Sequence, residues 1–587
     1  MASKTSIRDH SDSSYEYWRW RILIGTMIGY VFFYFVRKSI TMAMPGLETV
    51  GVTKTTLGIF LTIHGVLYGV SRFINGIWSD RVNPRYFMSI GLFLAAMTNV
   101  FCGFSQDIAS AIMPTAPDAQ KATLIAWVIG SFWIINGWVQ GMGFPPCAKS
   151  LMHWFAPREH GVKFATWNIS HNFGAGLLFI LNAYVVVLGW KFCFLVPAAL
   201  SVLGAIFLFL ALRDSPEKEG FEPVESYYAR TRGESKEEEK PSEKPVEIVE
   251  EEKTSLWQDL CKNVFSNWAV WVLCLANFFV YIVRFSILDW APTFLSQAKG
   301  LDLKSAGWAT ACYEIFGVFG VLLSGILMDK VFKGRGAKAC FVYMLGCVVA
   351  SFAFCKLDTE SLVLHVLLLA LIGFFIYGPQ CLIGCVASTI ATKKSGAASS
   401  GLTGLFGYLA TIVTGFGVGF LVDDATAPYK VERDNAVVGV LALHFNGVDT
   451  EALLKDKDSL SSLVKNAEAY YDADRAYKNF EGDENSAKYT KIVEAMETST
   501  EKLNSCLTKI TGVQSDSNSL AGPAGDIANK AGEERARISQ AGWPRIFGML
   551  VFSSIAALLL FALIFNTASP EVIAEEKRRA AEAAKKA

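Results

Sequence analysis

The chain has 587 residues, and its 54 basic and 54 acidic side chains give a formal net charge of zero, so whole-chain charge offers no argument for a nucleic-acid partner. It is 52% hydrophobic and 13% aromatic. Its apolar runs are each about 20 residues long, which excludes a soluble protein of this size and points to a polytopic membrane protein. Twelve cysteines lie mostly inside apolar runs with no CxxC pair. They read as small hydrophobes in helix packing and do not report a redox compartment.

Residues 1–17 are polar and lack a signal-peptide core, and the apolar run from Ile22 is long enough to stay as a span. Twelve spans are predicted near 22–44, 57–79, 86–106, 122–146, 161–187, 190–212, 268–295, 305–329, 337–356, 361–389, 395–422 and 544–566. The fold class is therefore all-α, twelve membrane helices in two six-helix halves. Residues 1–213 form the first half. Residues 214–266, which include Glu234-Ser-Lys-Glu-Glu-Glu-Lys-Pro, cannot bury a core and read as a disordered cytoplasmic linker. Residues 267–422 carry spans seven to eleven. The acidic stretch 423–542 shows helical spacing of apolar residues over 450–479 and 484–511 and is expected to form a small helical lobe on the outer side. It is either a tolerated insertion or a regulatory or binding lobe. Residues 543–587 hold span twelve and a basic tail.

The two halves repeat one another. The first span contains Val36-Arg37-Lys38-Ser39-Ile40 followed by Pro45, and the seventh contains Val283-Arg284-Phe285-Ser286-Ile287 followed by Pro292. Both arginines and both prolines are 247 positions apart (284 − 37 and 292 − 45). A second motif, Gly76-Ile-Trp-Ser-Asp80-Arg81-Val-Asn-Pro-Arg85, returns as Gly325-Ile-Leu-Met-Asp329-Lys330-Val-Phe-Lys-Gly-Arg335, with glycines 249 apart (325 − 76). Two motifs at nearly one offset indicate internal duplication. Lys and Arg concentrate in the loops of one face, among them Arg81, Arg85, Arg158, Lys163, Lys330, Lys333, Arg335, Lys393 and Lys394. The positive-inside rule then places both termini and the 214–266 linker in the cytoplasm.

An arginine at the centre of a span costs about 2.5–3.5 kcal/mol on insertion scales. Arg37 and Arg284 lie too deep to reach a headgroup easily, and matched placement suggests that both serve one ligand at the junction of the halves. The planar guanidinium fork suits phosphate or a phosphate ester, because it donates two parallel charge-assisted hydrogen bonds and stays charged. A structural ion pair, for instance with Glu314, is the alternative. On span five Asn168 and His171 share a face and are either a satisfied helix contact or donors to the phosphate, with His171 also able to titrate near neutral pH. Arg72 on span two is a third positive group for the cavity or an interface charge. Tyr34 and Tyr281 stand three residues before the two arginines on the same face, and Tyr377 is a further hydroxyl donor; each could equally be packing. Asp80, Arg81, Arg85, Asp329 and Arg335 read as inter-helix charge latches that gate, together with Glu314 as an intramembrane counter-charge. No P-loop, metal-ligand cluster or Ser/His/Asp set appears in the sequence, so neither enzyme activity nor a cofactor or metal is expected.

The twelve-span duplicated design with its Gly-x-x-x-Asp-Arg loop resembles the major facilitator superfamily. Several stretches resemble, more narrowly, its organophosphate:phosphate antiporters: Tyr34-Phe-Val-Arg37-Lys, Ala43-Met44-Pro45, Asn136-Gly-Trp-Val-Gln-Gly-Met-Gly-Phe-Pro145-Pro146-Cys147, Trp167-Asn168 with His171-Asn172, Tyr281 to Thr293, and Ile376-Tyr377-Gly378-Pro379. The resemblance implies exchange of an external organophosphate for internal phosphate. It assigns the family's paired arginines to Arg37 and Arg284 and its span-five histidine to His171. Where glycerol-3-phosphate carriers have a lysine in span two, this chain has Arg72. Hexose-phosphate carriers have charges within span eleven. Here that span has none before Asp423, which favours the glycerol ester. The expected partners are a small phosphorylated substrate, inorganic phosphate and the lipid bilayer, with a monomer in a bacterial inner membrane. A hexose-6-phosphate antiporter, a sugar-phosphate membrane sensor, and a proton-coupled symporter using His171 and Glu314 are the other readings. A sensor would bind with little flux; a symporter would follow the pH gradient.

Overall fold

The computed structural model describes residues 12–79, 81–156, 159–232, 264–356, 361–390, 396–445, 447–480, 487–513 and 517–567. Twelve helical segments among them are long and apolar enough to cross a membrane. In the first half these are α1 (Asp12–Phe35) with α2 (Ser39–Thr49), α3 (Lys54–Ser79) and α4 (Pro84–Gly103). A short α5 (Ser105–Ile112) follows, then α6 (Asp118–Gln140) with α7 (Phe144–Trp154), α8 (His160–Val185) and α9 (Phe192–Ala211). Helix starts follow local chemistry. The Asn83 side chain accepts from the Arg85 amide at 2.9 Å, and Pro84 occupies the first helical position, where a missing N–H costs nothing.

Two spans expected as single helices are broken. Span one unwinds over 36–38 between α1 and α2, and span four turns at 141–143 between α6 and α7, where Pro145 and Pro146 restart the helix. The ordered chain also runs past the expected half boundary of 213. Residues 217–219 make a short 3-10 turn, and α10 (Val224–Arg232) docks on the first half. The Tyr227 ring stacks on Tyr15 at 4.1 Å, the Tyr227 hydroxyl donates to Glu16 at 3.1 Å, and Arg230 pairs with Asp12 and Glu222. The expected linker is therefore an anchored helix in its first part, because aromatic residues within 221–228 give that part an apolar face its charge content conceals. Its remainder, 233–263, lies outside the described residues.

The second half comprises α11 (Trp268–Gln297), α12 (Leu303–Ile326), α13 (Gly336–Lys356), α14 (Leu362–Ile390) and α15 (Gly396–Thr411). After α15 a π-helical turn at Ile412–Gly417 leads into α16 (Val418–His444). Span eleven thus does not stop at 422 but runs on into the inserted lobe. The lobe adds α17 (Thr450–Lys455), α18 (Lys457–Lys478), α19 (Ala487–Thr511) and α20 (Ser517–Ala541), the last of which the apolar spacing did not reveal, and α21 (Trp543–Leu563) is span twelve. The lobe has its own core, with Leu441, Leu463, Leu503, Leu507 and Ile527 all buried. Asp449 and Asp456 cap α17 and α18 by accepting from the amides of Ala452 and Ser459.

The lobe stands over the α2–α3 and α5–α6 connections. A cleft of about 1850 Å3 lies between them, and Lys465 approaches Asp118 at 3.6 Å. On this lobe side the halves are packed together: the Asp423 carboxylate accepts from the Thr55 amide and hydroxyl, both at 2.7 Å, and Gln297 donates to Glu48 at 3.2 Å. Gly58 and Gly415 approach so closely that a Cβ on Gly58 would meet the Gly415 carbonyl oxygen at 2.3 Å. Toward the termini, by contrast, a Cβ at Gly76, Gly325 or Gly404 would meet nothing within 4 Å.

Tyr227→Ala should release α10. Loss of the stacked ring and its hydroxyl bond, together about 1–2 kcal/mol, predicts roughly tenfold faster amide exchange over 224–232 with the membrane helices unchanged, read by hydrogen–deuterium exchange mass spectrometry.

Candidate functional site

Arg37 is placed by the break in span one. The carbonyls freed there are taken by side chains: Asn99 Nδ2 of α4 donates to Val36 at 2.8 Å, and Gln140 Nε2 of α6 donates to Phe33 at 3.2 Å. Unwound backbone at membrane depth persists only when satisfied in this way. Ser39 Oγ, at the start of α2, donates to Asn99 Oδ1 at 2.5 Å and fixes the far side of the break. Arg284 is placed differently, in the middle of unbroken α11, with buried residues on both sides.

Both guanidinium groups rest on aromatic faces. That of Arg37 lies 3.6 Å from the Tyr68 ring centre and 5.3 Å from Tyr34. That of Arg284 lies 5.0 Å from Tyr377, 5.3 Å from Phe285 and 5.5 Å from Tyr281. Such contacts offset part of the desolvation cost, about 2 kcal/mol each when dry. Among the described residues neither arginine has a carboxylate partner within ion-pair distance, and Arg284 Nε is buried without a hydrogen-bond acceptor. The two arginines line one cavity of about 30 Å3 at the junction of the halves, together with Tyr34, Lys38, Asp289 and Tyr408.

The other predicted residues divide. Tyr34 lines the cavity. His171 is buried between rings of the two halves, 5.9 Å from Tyr34 and 6.2 Å from Tyr377. Its Nδ1 bonds to the Asn168 carbonyl, which can only accept, so that nitrogen carries the proton, while buried Nε2 has no partner. Asn168 serves through that carbonyl, and its side chain is only half-buried. It is Asn172, one turn on, that reaches across the interface. Glu314 is not ion-paired to an arginine; Tyr377 donates its hydroxyl to one carboxylate oxygen at 2.5 Å and Asn172 donates to the other at 3.0 Å. It therefore acts as a tie between halves. Tyr281 packs beside Arg284 and against Tyr408. Arg72 lies one turn beyond Tyr68 toward the termini, its guanidinium 3.7 Å over the Phe144 ring.

The loop charges do not bridge the halves in the contacts described. Arg85 Nε donates to the Phe209 carbonyl at 2.5 Å, at the end of α9, and Arg335 donates to the Asn566 carbonyl at 3.2 Å, beyond the end of α21. Each ties helices within one half by meeting carbonyls that a helix end leaves free. Arg81 is exposed; Asp80 and the Asp329 side chain lie outside the described residues.

The sequence reading passed over several members of the site. Lys38 and Asp289 form a buried ion pair across the two halves, with side-chain exposures of 11% and 6%. Both stood inside the quoted motifs, and a charge within an apolar run was the available signal. Tyr68 and Tyr408 cushion Arg37 and the partner helices, and only the spacing of Tyr68 from Arg72, one turn apart, hinted at the first. Asn172 was quoted beside His171 and given no role.

Removing one partner of a buried ion pair costs about 3–5 kcal/mol, whereas replacing both with apolar groups costs little. Asp289→Asn should therefore lower the thermal unfolding midpoint in detergent markedly, and Lys38→Met with Asp289→Leu should recover most of the loss. A double variant no more stable than the single one overturns the assignment.

Comparison with known proteins extends the geometry. The chain matches the family profile of the Major Facilitator Superfamily over residues 26–415. It is 36% identical to the glycerol-3-phosphate transporter of Bacillus subtilis over 422 residues, covering 70% of this chain and 88% of that protein. It is 37% identical to a probable hexose phosphate transport protein of Chlamydia pneumoniae, covering 70% and 86%. It is 31% identical to the membrane sensor protein UhpC of Escherichia coli, covering 70% and 88%. Among solved structures, a bacterial homolog of the human lysosomal transporter Spinster superposes with a TM-score of 0.58 at 14% identity, covering 94% of this chain and 99% of that one, which speaks to the fold alone. Twelve membrane-length helices in two halves, the matched profile and these relatives agree: this integral, multi-pass chain belongs to the Major Facilitator Superfamily.

Proposed function

We propose that the protein carries an organophosphate across the membrane in exchange for inorganic phosphate, with glycerol-3-phosphate as the first candidate. The carrying observation is the pair Arg37 and Arg284, one from each half, on one cavity and without carboxylate partners. The charged groups lining the cavity support a dianionic ligand: Arg37, Lys38 and Arg284 stand against Asp289, leaving the two positive charges that a phosphate monoester dianion would neutralise. Span eleven contributes Tyr408 and Thr411 to the cavity and no charge, which favours the glycerol ester over a hexose phosphate.

The mechanism follows from these charges. Unliganded, the arginines repel across the junction and disfavour drawing the halves together on the side that is apart. A dianion cancels the repulsion, accepts from both forks, and competes with Asp289 for Lys38. Binding free energy then lowers the barrier to rocking between the two faces. The cavity of about 30 Å3 is too small for a phosphate ester, so the ring-stacked guanidinium groups must swing off their tyrosines as the ligand enters. Phosphate and ester use the same two forks, and a loaded carrier crosses more readily than an empty one, so the outcome is exchange.

The concentration of Lys and Arg on the face that also bears the termini supports a cytoplasmic position for both ends, an outer position for the lobe, and a protein open to the cytoplasm as described. We further propose that it acts as a monomer in a bacterial inner membrane. The gating residues of this scheme are the inter-half ties Lys38, Asp289, Asn172 and Glu314, with Arg85 and Arg335 bracing each half. A sensor is the second reading, favoured by the 31% identity to UhpC.

The test is uptake of labelled phosphate into liposomes loaded with phosphate, challenged with glycerol-3-phosphate and with glucose-6-phosphate. Uptake that requires internal phosphate, and inhibition by glycerol-3-phosphate at lower concentration, is the expected result. Ester binding without flux would make the protein a sensor. Arg37→Lys and Arg284→Lys should each reduce exchange at least about 100-fold, since a point charge cannot replace the bidentate fork. Full exchange in both would overturn the site.

A further inference from the structure

His64 belongs to no motif above, yet it lines the cavity between the two arginines. It is buried on α3, one turn before Tyr68 on the helix that cushions Arg37, and its ring stacks on Trp133 at 5.0 Å. Its Nε2 lies 3.1 Å from Asn136 Oδ1. The orientation of that amide is determined by its other end, because Asn136 Nδ2 donates to the Ala95 carbonyl at 3.2 Å and to Thr98 Oγ1 at 2.8 Å. The oxygen turned to His64 can only accept, so Nε2 is the nitrogen that carries the proton. In the neutral imidazole Nδ1 is then an acceptor.

The direction of Nδ1 follows from packing. A Cβ built on Gly137 of α6 would meet His64 Cδ2 at 3.3 Å, so the Cδ2 edge of the ring faces α6 and the opposite edge, which holds Nδ1, faces away from it. Buried polar atoms lacking a partner include His171 Nε2 and Arg284 Nε but not His64 Nδ1, and among the described residues no hydrogen bond engages that atom. It therefore keeps accessible surface, and the open space beside His64 is the cavity. The remaining polar groups there are chiefly donors: two guanidinium groups, an ammonium, and the hydroxyls of Tyr34 and Tyr408. Donors suit phosphate oxygens. One oxygen of the Asp289 carboxylate, Oδ1, is engaged by Lys38. The tyrosine hydroxyls, Thr411 Oγ1 and the second Asp289 oxygen can also accept, but the hydroxyls donate as well and the carboxylate is anionic, so a ligand hydroxyl beside a phosphate dianion is best met by a neutral acceptor that carries no proton of its own.

We propose that His64 Nδ1 is that acceptor, and that it selects phosphate esters bearing a hydroxyl on the organic part over esters with a bare alkyl chain. The inference rests on the exchange reading above. His64 here is a ligand-contacting specificity group, positioned through Asn136 and Trp133.

The experiment uses the full chain in phosphate-loaded liposomes and compares inhibition of phosphate:phosphate exchange by glycerol-3-phosphate and by monopropyl phosphate, which matches it in chain length and has no hydroxyl. In the unsubstituted protein glycerol-3-phosphate should inhibit about five- to tenfold more tightly, the equivalent of one neutral hydrogen bond. His64→Phe, which keeps the ring on Trp133, should bring that ratio close to one. His64→Asn, whose side-chain oxygen falls near the place of Nδ1, should restore part of it. If His64→Phe also stops phosphate exchange, His64→Gln decides: it keeps a donor for Asn136 and has no acceptor at Nδ1. A ratio unchanged in the deciding variant, or a ratio near one before any substitution, overturns the inference. A purely structural role would weaken both inhibitors alike and leave the ratio in place, which also overturns it. Absence of phosphate exchange in the unsubstituted protein would instead bring down the carrier reading itself, a separate outcome.

Discussion

Holding two guanidinium groups in an apolar interior without carboxylate partners is the constraint on which the rest of this structure depends. Each costs a few kcal/mol at mid-membrane, and an unmet charged donor adds to that. The protein offsets the cost with ring faces: Tyr68 beneath Arg37, and Tyr377, Phe285 and Tyr281 around Arg284. A ring face attracts a cation without using up its hydrogen bonds. The guanidinium groups are thereby held in the membrane while their donor forks stay available. A carboxylate in the same position would satisfy them permanently, and the deep carboxylates nearby are kept occupied, Glu314 by Tyr377 and Asn172 and Asp289 by Lys38.

The duplication leads to equivalent positions through unlike backbones. Arg37 stands in a break of its helix, whose freed carbonyls are met by Asn99 and Gln140, whereas Arg284 stands in a continuous helix. The interface between halves is likewise unsymmetrical. Lys38 reaches Asp289, Asn172 reaches Glu314, and Asp423 caps the start of α3 through Thr55. Each of these ties is short and polar, so each is strong in place and lost over a small displacement. Contacts of that kind suit an interface with two discrete arrangements better than one that deforms gradually.

Periodicity and charge carried much of this. Twelve apolar runs, the matched motifs and the arginine pair were legible because insertion energetics act on composition along the chain, which needs no tertiary information. Helix breaks were not. Nothing local in Val36-Arg37-Lys38 announces unwinding; the break depends on Asn99 and Gln140, more than sixty residues away in the chain. Lys38 and Asp289 were visible as charges but not as a pair, since their meeting is a property of how the halves dock. Asn168 drew attention and Asn172 did not, although both share a helical face with His171 or lie beside it. Which of them reaches Glu314 is decided by the rotation of α8 against α12, to within a fraction of a turn. The linker misled in the opposite sense: its charge content masked the aromatic residues that fasten α10 to Tyr15.

The inserted lobe is joined to the second half at both ends. Span eleven continues through α16 into the lobe core at Val437 and Leu441, and α20 leaves that core to become span twelve after Gly542. Toward the first half it offers Lys465 to Asp118, both largely exposed, and such a pair contributes about 0–1 kcal/mol. Two helices rooted in one body outweigh one solvated ion pair with the other. The lobe is therefore carried by the second half, and rocking that parts Asp423 from Thr55 would lift it from the α5–α6 connection without breaking its own core. In such a movement the close-packed glycines and the Asp423 cap would be the contacts that close the lobe-side mouth, and the cleft beneath the lobe would widen or narrow as a consequence.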